Sequence, residues 1–200
     1  MKIEQVHELL YQALETEQGG VQVYQKAIGC AVNADLKKEW KEYLEQTQNH
    51  ERIVRHLFEP FGIDPEEDTP GRKVVRHIGE SLVKAMEMAL DSGTPEAAQL
   101  VAAECVTLAE TKDHQNWELM RMASQKMQGA DRTLLSDACD DVEDEEDEHL
   151  YHTMGWCREL WVKSMGLPAQ LPPPEEEKDV KTAIGAARAK QSRTPSRART

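Results

Sequence analysis

A helical pattern of apolar residues over Leu134 to Leu160 is the feature that most constrains the fold. Side chains three and four positions apart lie on one face of a helix, so this spacing predicts a single amphipathic helix. One carboxylate and one imidazole, Glu146 and His149, interrupt its apolar stripe. An acidic run of this kind is also typical of a solvated face, so the pair alone does not identify a site. The stripe consists of Leu135, Val142, Glu146, His149, Thr153, Trp156 and Leu160.

Similar patterns predict four earlier helices. Asn33 or Asp35 is a suitable N-cap for the second helix, and Thr94 followed by Pro95 is typical of a helix start. The segment from Gln128 to Asp131 is predicted to form the turn before the last helix. The predicted ranges are Ile3 to Ala31, the segment after Asp35 to about Phe58, about Val74 to Leu90, Pro95 to about Met127, and Leu134 to Leu160.

The composition favours an all-α protein with one helical domain over residues 1–165. Residues that favour helices are abundant and only two Phe are present. A chain of 200 residues with 39% hydrophobic content favours one well-buried domain over two. No long apolar run and no signal-peptide pattern occurs, which predicts a cytoplasmic protein with no membrane contact. The cysteines are widely spaced, which predicts free thiols at Cys30, Cys105, Cys139 and Cys157.

The tail, residues 166–200, differs from the rest of the chain. Residues 178–200 carry seven Lys or Arg and one Asp, a net charge of +6, which leaves −19 for residues 1–177. A short helix over Thr182 to Gln191 and disorder over Ser192 to Thr200 are predicted. We favour a solvated tail that screens the acidic body, and a peptide that docks on a partner or a compartment shell is the second interpretation. Nucleic acid is the least favoured partner, because the tail has few aromatic residues to stack on bases.

Four of the predicted helices place an acid or an imidazole on the face that they bury. Glu17 lies between Leu10 and Tyr24 on the first stripe, and Glu110 lies seven residues before Trp117. An unpaired carboxylate is costly in such a place. Each group alone has a simpler explanation, such as a rotated helix that leaves Glu17 exposed to solvent. It is improbable that all of these separate explanations hold together. The predicted ligands of a metal ion are Glu17, His50, Glu110, Glu146 and His149.

Two of the helices carry a resemblance to a known group of proteins. The second helix reads Leu36-Lys37-Lys38 and continues through Tyr43-Leu44-Glu45-Gln46-Thr47 to Arg52, and the fourth reads Ala97-Ala98-Gln99 and continues to Glu110-Thr111-Lys112-Asp113. With these residues, over most of Leu10 to Leu160, the chain resembles the ferritin-like superfamily, in particular the YciF-type ferritin-like stress proteins. The resemblance implies an antiparallel four-helix bundle with an extra helix between the second and third bundle helices. It also implies a di-iron centre and a role in oxidative or metal stress.

One position departs from the pattern of that superfamily, whose symmetrical sites usually carry Glu-x-x-His on two helices. Thr47 stands three residues before His50, and a hydroxyl is a poor replacement for a bridging carboxylate. The site is therefore expected to hold a single ion, an asymmetric pair completed by water or Asp113, or no metal. His114 is predicted at the edge of the bundle. Glu145, His152 and Asp113, which lies on the stripe of its helix, could compensate, although each is more often a surface group. Glu45, Gln46 and Glu51 are predicted to point off the stripe of the second helix.

The leading hypothesis is a protein that binds one or two metal ions, iron first with manganese and zinc as alternatives, and that reacts with dioxygen or peroxide as an oxidase or peroxidase. Tyr24 and Trp117 could donate electrons, although core packing explains both. The alternative is a metal-free helical scaffold that docks partners through its tail or its acidic surface. Iron storage in a hollow shell is a third hypothesis. A homodimer is expected, because bundles of this sort commonly bury a helix pair between copies.

Overall fold

Residues 1–170 are described in the computed structural model of this protein, and the chain in that range is entirely helical. It forms six helices and no strand there, which confirms the all-α prediction at this level. No helix in the range combines the length and apolar character needed to cross a bilayer. The predicted helix over Thr182 to Gln191 and the predicted disorder beyond it lie outside the described residues. The helices are α1 Ile3–Cys30, α2 Ala34–Phe61, α3 Pro70–Ser92, α4 Pro95–Ser124, α5 Gly129–Asp140 and α6 Glu143–Ser164.

Short polar side chains set where three of the helices begin. The Asn33 side chain accepts two backbone N–H bonds at the start of α2. Thr69 and Thr94 each accept one bond at the starts of α3 and α4, and each is followed by a proline at the first helical position. The cap at Thr69 explains why α3 begins at Pro70 and not, as predicted, near Val74.

The second helix continues further than predicted. It was expected to stop before Pro60, but α2 includes Pro60 and ends at Phe61. A proline in the last turn removes only one backbone bond, so the helix tolerates it there. Gly62 then ends α2 in the left-handed region with a φ of 68°.

The single helix predicted over Leu134 to Leu160 is wrong. The chain instead forms α5 and α6, which are separated at Asp141 and Val142. Four consecutive acids, Glu143 to Glu146, form the first turn of α6. Carboxylates are stabilised at a helix N-terminus by the helix dipole, whereas they repel one another inside a continuous helix. Leu135 and Val142 are both fully buried, so the apolar face continues across the break.

The helices enclose two apolar clusters. α1 packs against α2, α3 and α4, and α4 also packs against α5 and α6. One cluster joins the C-terminal half of α1 to the N-terminal halves of α2 and α4 and to Trp156 of α6. The other joins the N-terminal half of α1 to the C-terminal halves of α2 and α4 and to α5. α1 therefore runs opposite to α2 and α4, and a polar layer separates the two clusters.

α3 is held against α1 by a buried ion pair and a close backbone approach. Glu15 accepts hydrogen bonds from Arg72, at 2.6 Å, and from Arg76, at 2.7 Å. A Cβ built on Gly79 would lie 3.5 Å from Cα of Gly19. Glycine at both positions therefore permits this close approach of the two backbones.

Candidate metal centre

The polar layer between the two apolar clusters contains acids and imidazoles from four helices. All five predicted ligands lie in it and are at most 2% exposed, which confirms their predicted inward orientation. Asp113 of α4, predicted as a group that could complete the site, lies there too and is 4% exposed. The layer is formed by Glu17 of α1, His50 of α2, Glu110 and Asp113 of α4, and Glu146 and His149 of α6.

Three of these side chains form a histidine group. In His50, Glu146 and His149, one ligand atom of each lies within 4.8 Å of the others. Nδ1 of His50 is 2.9 Å from Oε1 of Glu146, and Nδ1 of His149 is 3.8 Å from that same oxygen. Two imidazoles and a carboxylate at this spacing can share one divalent ion.

Three side chains form an adjacent carboxylate group, in which Glu146 appears again. Ligand oxygens of Glu17, Asp113 and Glu146 also lie within 4.8 Å of one another. Nε1 of Trp117 donates to Oε1 of Glu17 at 2.9 Å, which fixes that carboxylate and leaves its other oxygen for a cation. Since Glu146 belongs to both groups, its two oxygens can bridge a pair of ions.

Glu110 borders the histidine group without belonging to either triad. Its Oε2 lies 3.6 Å from Nδ1 of His149, so it faces the same space from α4. Thr47 carries a hydroxyl and so supplies no carboxylate from α2. It is 2% exposed and packs against Gly20, where a Cβ would lie 3.2 Å from its Cγ2. The third carboxylate near Glu146 and Glu17 thus comes from Asp113 of α4 and not from α2.

Several ligand atoms in the layer are buried without a hydrogen-bond partner among residues 1–170. A buried polar atom that lacks a partner costs about 1–3 kcal/mol, and more when it is charged. Five such atoms converge on one region, which is unusual for a folded protein. Cations held by the two groups, with Glu110 beside them, would give these atoms partners, so the residues present fit metal ions. The atoms are Oε2 of Glu17, Oε2 of Glu110, Oδ1 of Asp113, Oε2 of Glu146 and Nδ1 of His149.

Burial and mutual repulsion oppose the ionisation of these carboxyl groups. Burial first, then the carboxylates of Asp113 and Glu146, raises the pKa of Glu17 well above its usual range. Burial, followed by Glu146 and Glu110, does the same to the pKa of Asp113. Burial and then Glu110 raise the pKa of Glu146 to about 8. The layer must therefore hold protons or a cation to neutralise it.

Residues around the layer orient His149. Oε1 of Gln46, predicted to point off its stripe, lies 2.8 Å from Nε2 of His149. An amide oxygen accepts, so Nε2 carries the proton and the Nδ1 lone pair faces Glu110 and Glu146. The ring of Tyr43 packs on the same imidazole with centroids 4.2 Å apart. Sequence periodicity gives no signal for Gln46, because its long side chain reaches α6 from outside the stripe.

The other candidate groups lie at the periphery of the layer. Oε2 of Glu145 contacts Nε2 of His50 at 2.7 Å, from a side chain that is 37% exposed. His152, predicted at the surface, is buried and bonded through Nδ1 to the Tyr43 hydroxyl at 2.7 Å. His114 is at the edge, as predicted, and pairs with Asp147.

Comparison of the chain with protein-family models, with curated proteins and with solved structures found no match. The proposals below therefore depend on the geometry and chemistry of the residues themselves.

Proposed function

We propose that this protein binds one or two divalent transition-metal ions, with iron as the leading candidate, in the polar layer between its two apolar clusters. His50, His149 and Glu146 would hold one ion, with Glu110 beside them. Glu17, Asp113 and Glu146 would hold the other. The observation that carries the proposal is that Glu146 belongs to both groups while its Oε2 has no partner among residues 1–170.

The chemistry of the donors favours iron or manganese. Carboxylates and imidazoles suit both metals and also bind zinc, whereas soft thiolates would favour copper or zinc. No cysteine belongs to either group. Ferrous ion held by such ligands with open coordination positions supplies electrons to dioxygen or peroxide.

The chain's own residues prepare this site for redox chemistry. The two apolar clusters keep bulk water out of the layer from the sides that they cover. Gln46 fixes the tautomer of His149, and Trp117 fixes one oxygen of Glu17. These contacts hold the ligands in place before an ion arrives. We infer an oxidase or peroxide-consuming activity from this combination.

The order of the helices supports a ferritin-like arrangement. In this proposal α1, α2, α4 and α6 are the four bundle helices, since they supply the layer, and α3 is the extra helix between the second and third. α5 would be the displaced first part of the last bundle helix. A role in oxidative or metal stress would follow from the resemblance to YciF-type proteins.

Metal content separates this proposal from a metal-free scaffold. We expect the purified full chain to bind up to two Fe²⁺ under anaerobic conditions, measured by titration calorimetry and elemental analysis. Glu146→Gln keeps the shape of the side chain but removes the shared charge, and we expect affinity to fall by more than about a hundredfold. Glu148→Gln is the matched control, because Glu148 is exposed on the same helix.

The scaffold alternative requires the opposite result. Substoichiometric metal that is unchanged between the wild type and Glu146→Gln would contradict the metal proposal and favour the scaffold. The redox part has its own measurement, which is the loss of chelator-detectable Fe²⁺ after one addition of peroxide. Retained binding without such a loss would leave a metal-binding protein that lacks the activity.

A further inference from the structure

A cavity of about 430 Å³ opens where α4, α5 and α6 meet. Trp117 and Met122 of α4 form its apolar walls, and Glu118, Glu143 and Asp147 are among its acidic residues. Met122 is 62% exposed, which places it at the mouth. Cys139 of α5 and Glu143 of α6 both line it, so the cavity lies beside the break between these helices.

Glu146 connects this cavity to the candidate metal centre. It lines the cavity and is also the carboxylate shared by the two ligand groups. It is 1% exposed, and its Oε2 has no hydrogen-bond partner among residues 1–170. An unpartnered carboxylate oxygen at the inner end of a cavity is a destination for a cation.

The charge of the lining favours cations over anions. Arg121 lines the cavity but is held by Asp140 at 2.6 Å and by Glu143 at 2.8 Å. His114 is held by Asp147 at 2.8 Å. Arg121 and His114 are thus each paired with an acid, and the lining contains four acids, Glu118, Glu143, Glu146 and Asp147. Acidic clefts with apolar walls focus the electric field and raise the local concentration of counter-ions.

The size of the cavity suits an ion that still carries its water. Six waters occupy about 180 Å³ at their share of liquid volume. The cavity of about 430 Å³ is larger than this, so its volume can hold a hexahydrated divalent ion beside Glu146.

We propose that this cavity is the route by which a hydrated divalent cation reaches the metal centre. The inference depends on the proposed function and adds to it the path of the ion and the preference of the cavity for cations. The acids of the lining attract the ion, and at the inner end a carboxylate oxygen of Glu146 replaces one water of the ion. That water and the proton of the Glu146 carboxyl leave through the cavity. No other covalent bond in the protein changes.

Association kinetics test the route separately from the centre. Co²⁺ is the probe, because its visible absorption reports protein ligands, and stopped-flow mixing with the metal-stripped full chain gives both a rate and a final amplitude. Met122→Trp narrows the mouth. Met88→Trp is the matched control, since Met88 is 61% exposed on α3, away from the cavity. We expect Met122→Trp to lower the association rate by about threefold or more with an unchanged amplitude, and Met88→Trp to change neither.

Charge reversal tests the selection for cations. Glu118→Lys places a positive charge in the lining, and Glu80→Lys makes the same net change on the exposed side of α3. We expect Glu118→Lys to slow association about threefold to tenfold at low ionic strength. The difference should shrink in about 0.5 M salt, where charges are screened within a few ångströms.

The outcomes are distinguishable. If the wild type shows no Co²⁺ absorption, the metal centre and the route both fail. If it binds Co²⁺ but Met122→Trp and Met88→Trp associate at equal rates, or if Met122→Trp alone loses amplitude, the route is overturned and the centre stands. Equal rates for Glu118→Lys and Glu80→Lys would overturn the selection for cations.

Discussion

At the scale of single residues, Glu146 determines how the polar layer is organised. It lies between the two imidazoles and the two other acids of the ligand groups, and it lines the cavity to the outside. Burying an ionised carboxylate costs several kcal/mol unless an opposite charge accompanies it. The layer has more carboxylates than imidazoles, so imidazolium ions alone cannot neutralise it. A divalent ion offsets two of these charges at once.

Asp113→Asn tests whether the two ligand groups are separate sites. Asparagine keeps the shape of the side chain but is a weaker, neutral ligand. We expect the number of bound Mn²⁺ ions to fall from two to one, because the histidine group does not include Asp113. Equilibrium dialysis followed by elemental analysis measures this number.

The control for this substitution is Asp141→Asn, at an exposed position before α6. It should bind as the wild type does. Loss of both ions in Asp113→Asn would show that the groups form one indivisible site. An unchanged number would remove Asp113 from the centre.

The five inward ligands could be predicted because each lies on a stripe whose other members are mostly apolar. Asp113 lies on the stripe of α4 as well, but an aspartate there is equally compatible with a surface position. Asp113 is buried because α1 and α6 cover it, and these helices are distant from it in the sequence. Gln46 and His152 were unpredictable for the same reason, since helix periodicity does not describe how far a long side chain reaches across to a neighbouring helix.

At the scale of helices, the break between α5 and α6 has the largest effect on function. Leu135 and Val142 are seven residues apart and both fully buried, so the periodicity of the sequence predicts one continuous helix. The break is nevertheless favourable, because it gives the acidic run a helix N-terminus. The cavity between α4, α5 and α6 lies beside this break. Periodicity alone could not reveal a break that preserves the buried stripe.

The spacing of α1 and α2 depends on Gly20. A Cβ there would lie 3.2 Å from Cγ2 of Thr47, a β-branched side chain with little freedom to move. Gly29, in the same helix, has no atom within 4 Å of its Cβ position. We expect Gly29→Ala to raise the free energy of unfolding by roughly 0.5–1 kcal/mol through helix propensity. Gly20→Ala should be about 1–3 kcal/mol less favourable than Gly29→Ala because of crowding.

Urea denaturation of the metal-stripped variants measures both changes. Thr47→Ser removes Cγ2 and supplies the second half of a double-mutant cycle, in which Gly20→Ala should be better tolerated. Equal effects of alanine at the two glycines would mean that α2 moves freely and that Thr47 does not set the spacing.

At the scale of the whole molecule, the fold places the polar layer between two apolar clusters. The prediction of long amphipathic helices is confirmed, since the apolar stripes of α1, α2 and α4 lie in these clusters. The sequence could not show that the site residues lie at one level, because that depends on how far each helix is shifted along its neighbours. Opposite halves of α1, α2 and α4 pack in the two clusters, so the buried acids lie in the middle of these helices. The free energy of unfolding is therefore expected to depend on the charge of the acids.

The metal-free protein should lose stability as the pH rises. The pKa of Glu146 is about 8 in the folded state and about 4.5 in an unfolded chain, so between these values the folded protein holds more protons. The free energy of unfolding therefore falls as pH rises through this window, by on the order of a few kcal/mol. Glu39, whose pKa burial raises to about 7, acts in the same direction. We expect the melting temperature to be lower at pH 8 than at pH 5.5, measured in the presence of a chelator.

Saturation with metal should reverse the trend. Ligation requires the deprotonated carboxylates, so protons compete with the ion and its affinity rises with pH. The melting temperature of the loaded protein should then be higher at pH 8 than at pH 5.5. Glu146→Gln isolates the contribution of one group, because it leaves Glu39 in place. If the melting temperatures of the metal-free wild type and of metal-free Glu146→Gln depended on pH identically, the Glu146 carboxyl would ionise in the folded protein at no cost in stability. That result is incompatible with a buried, crowded layer of acids.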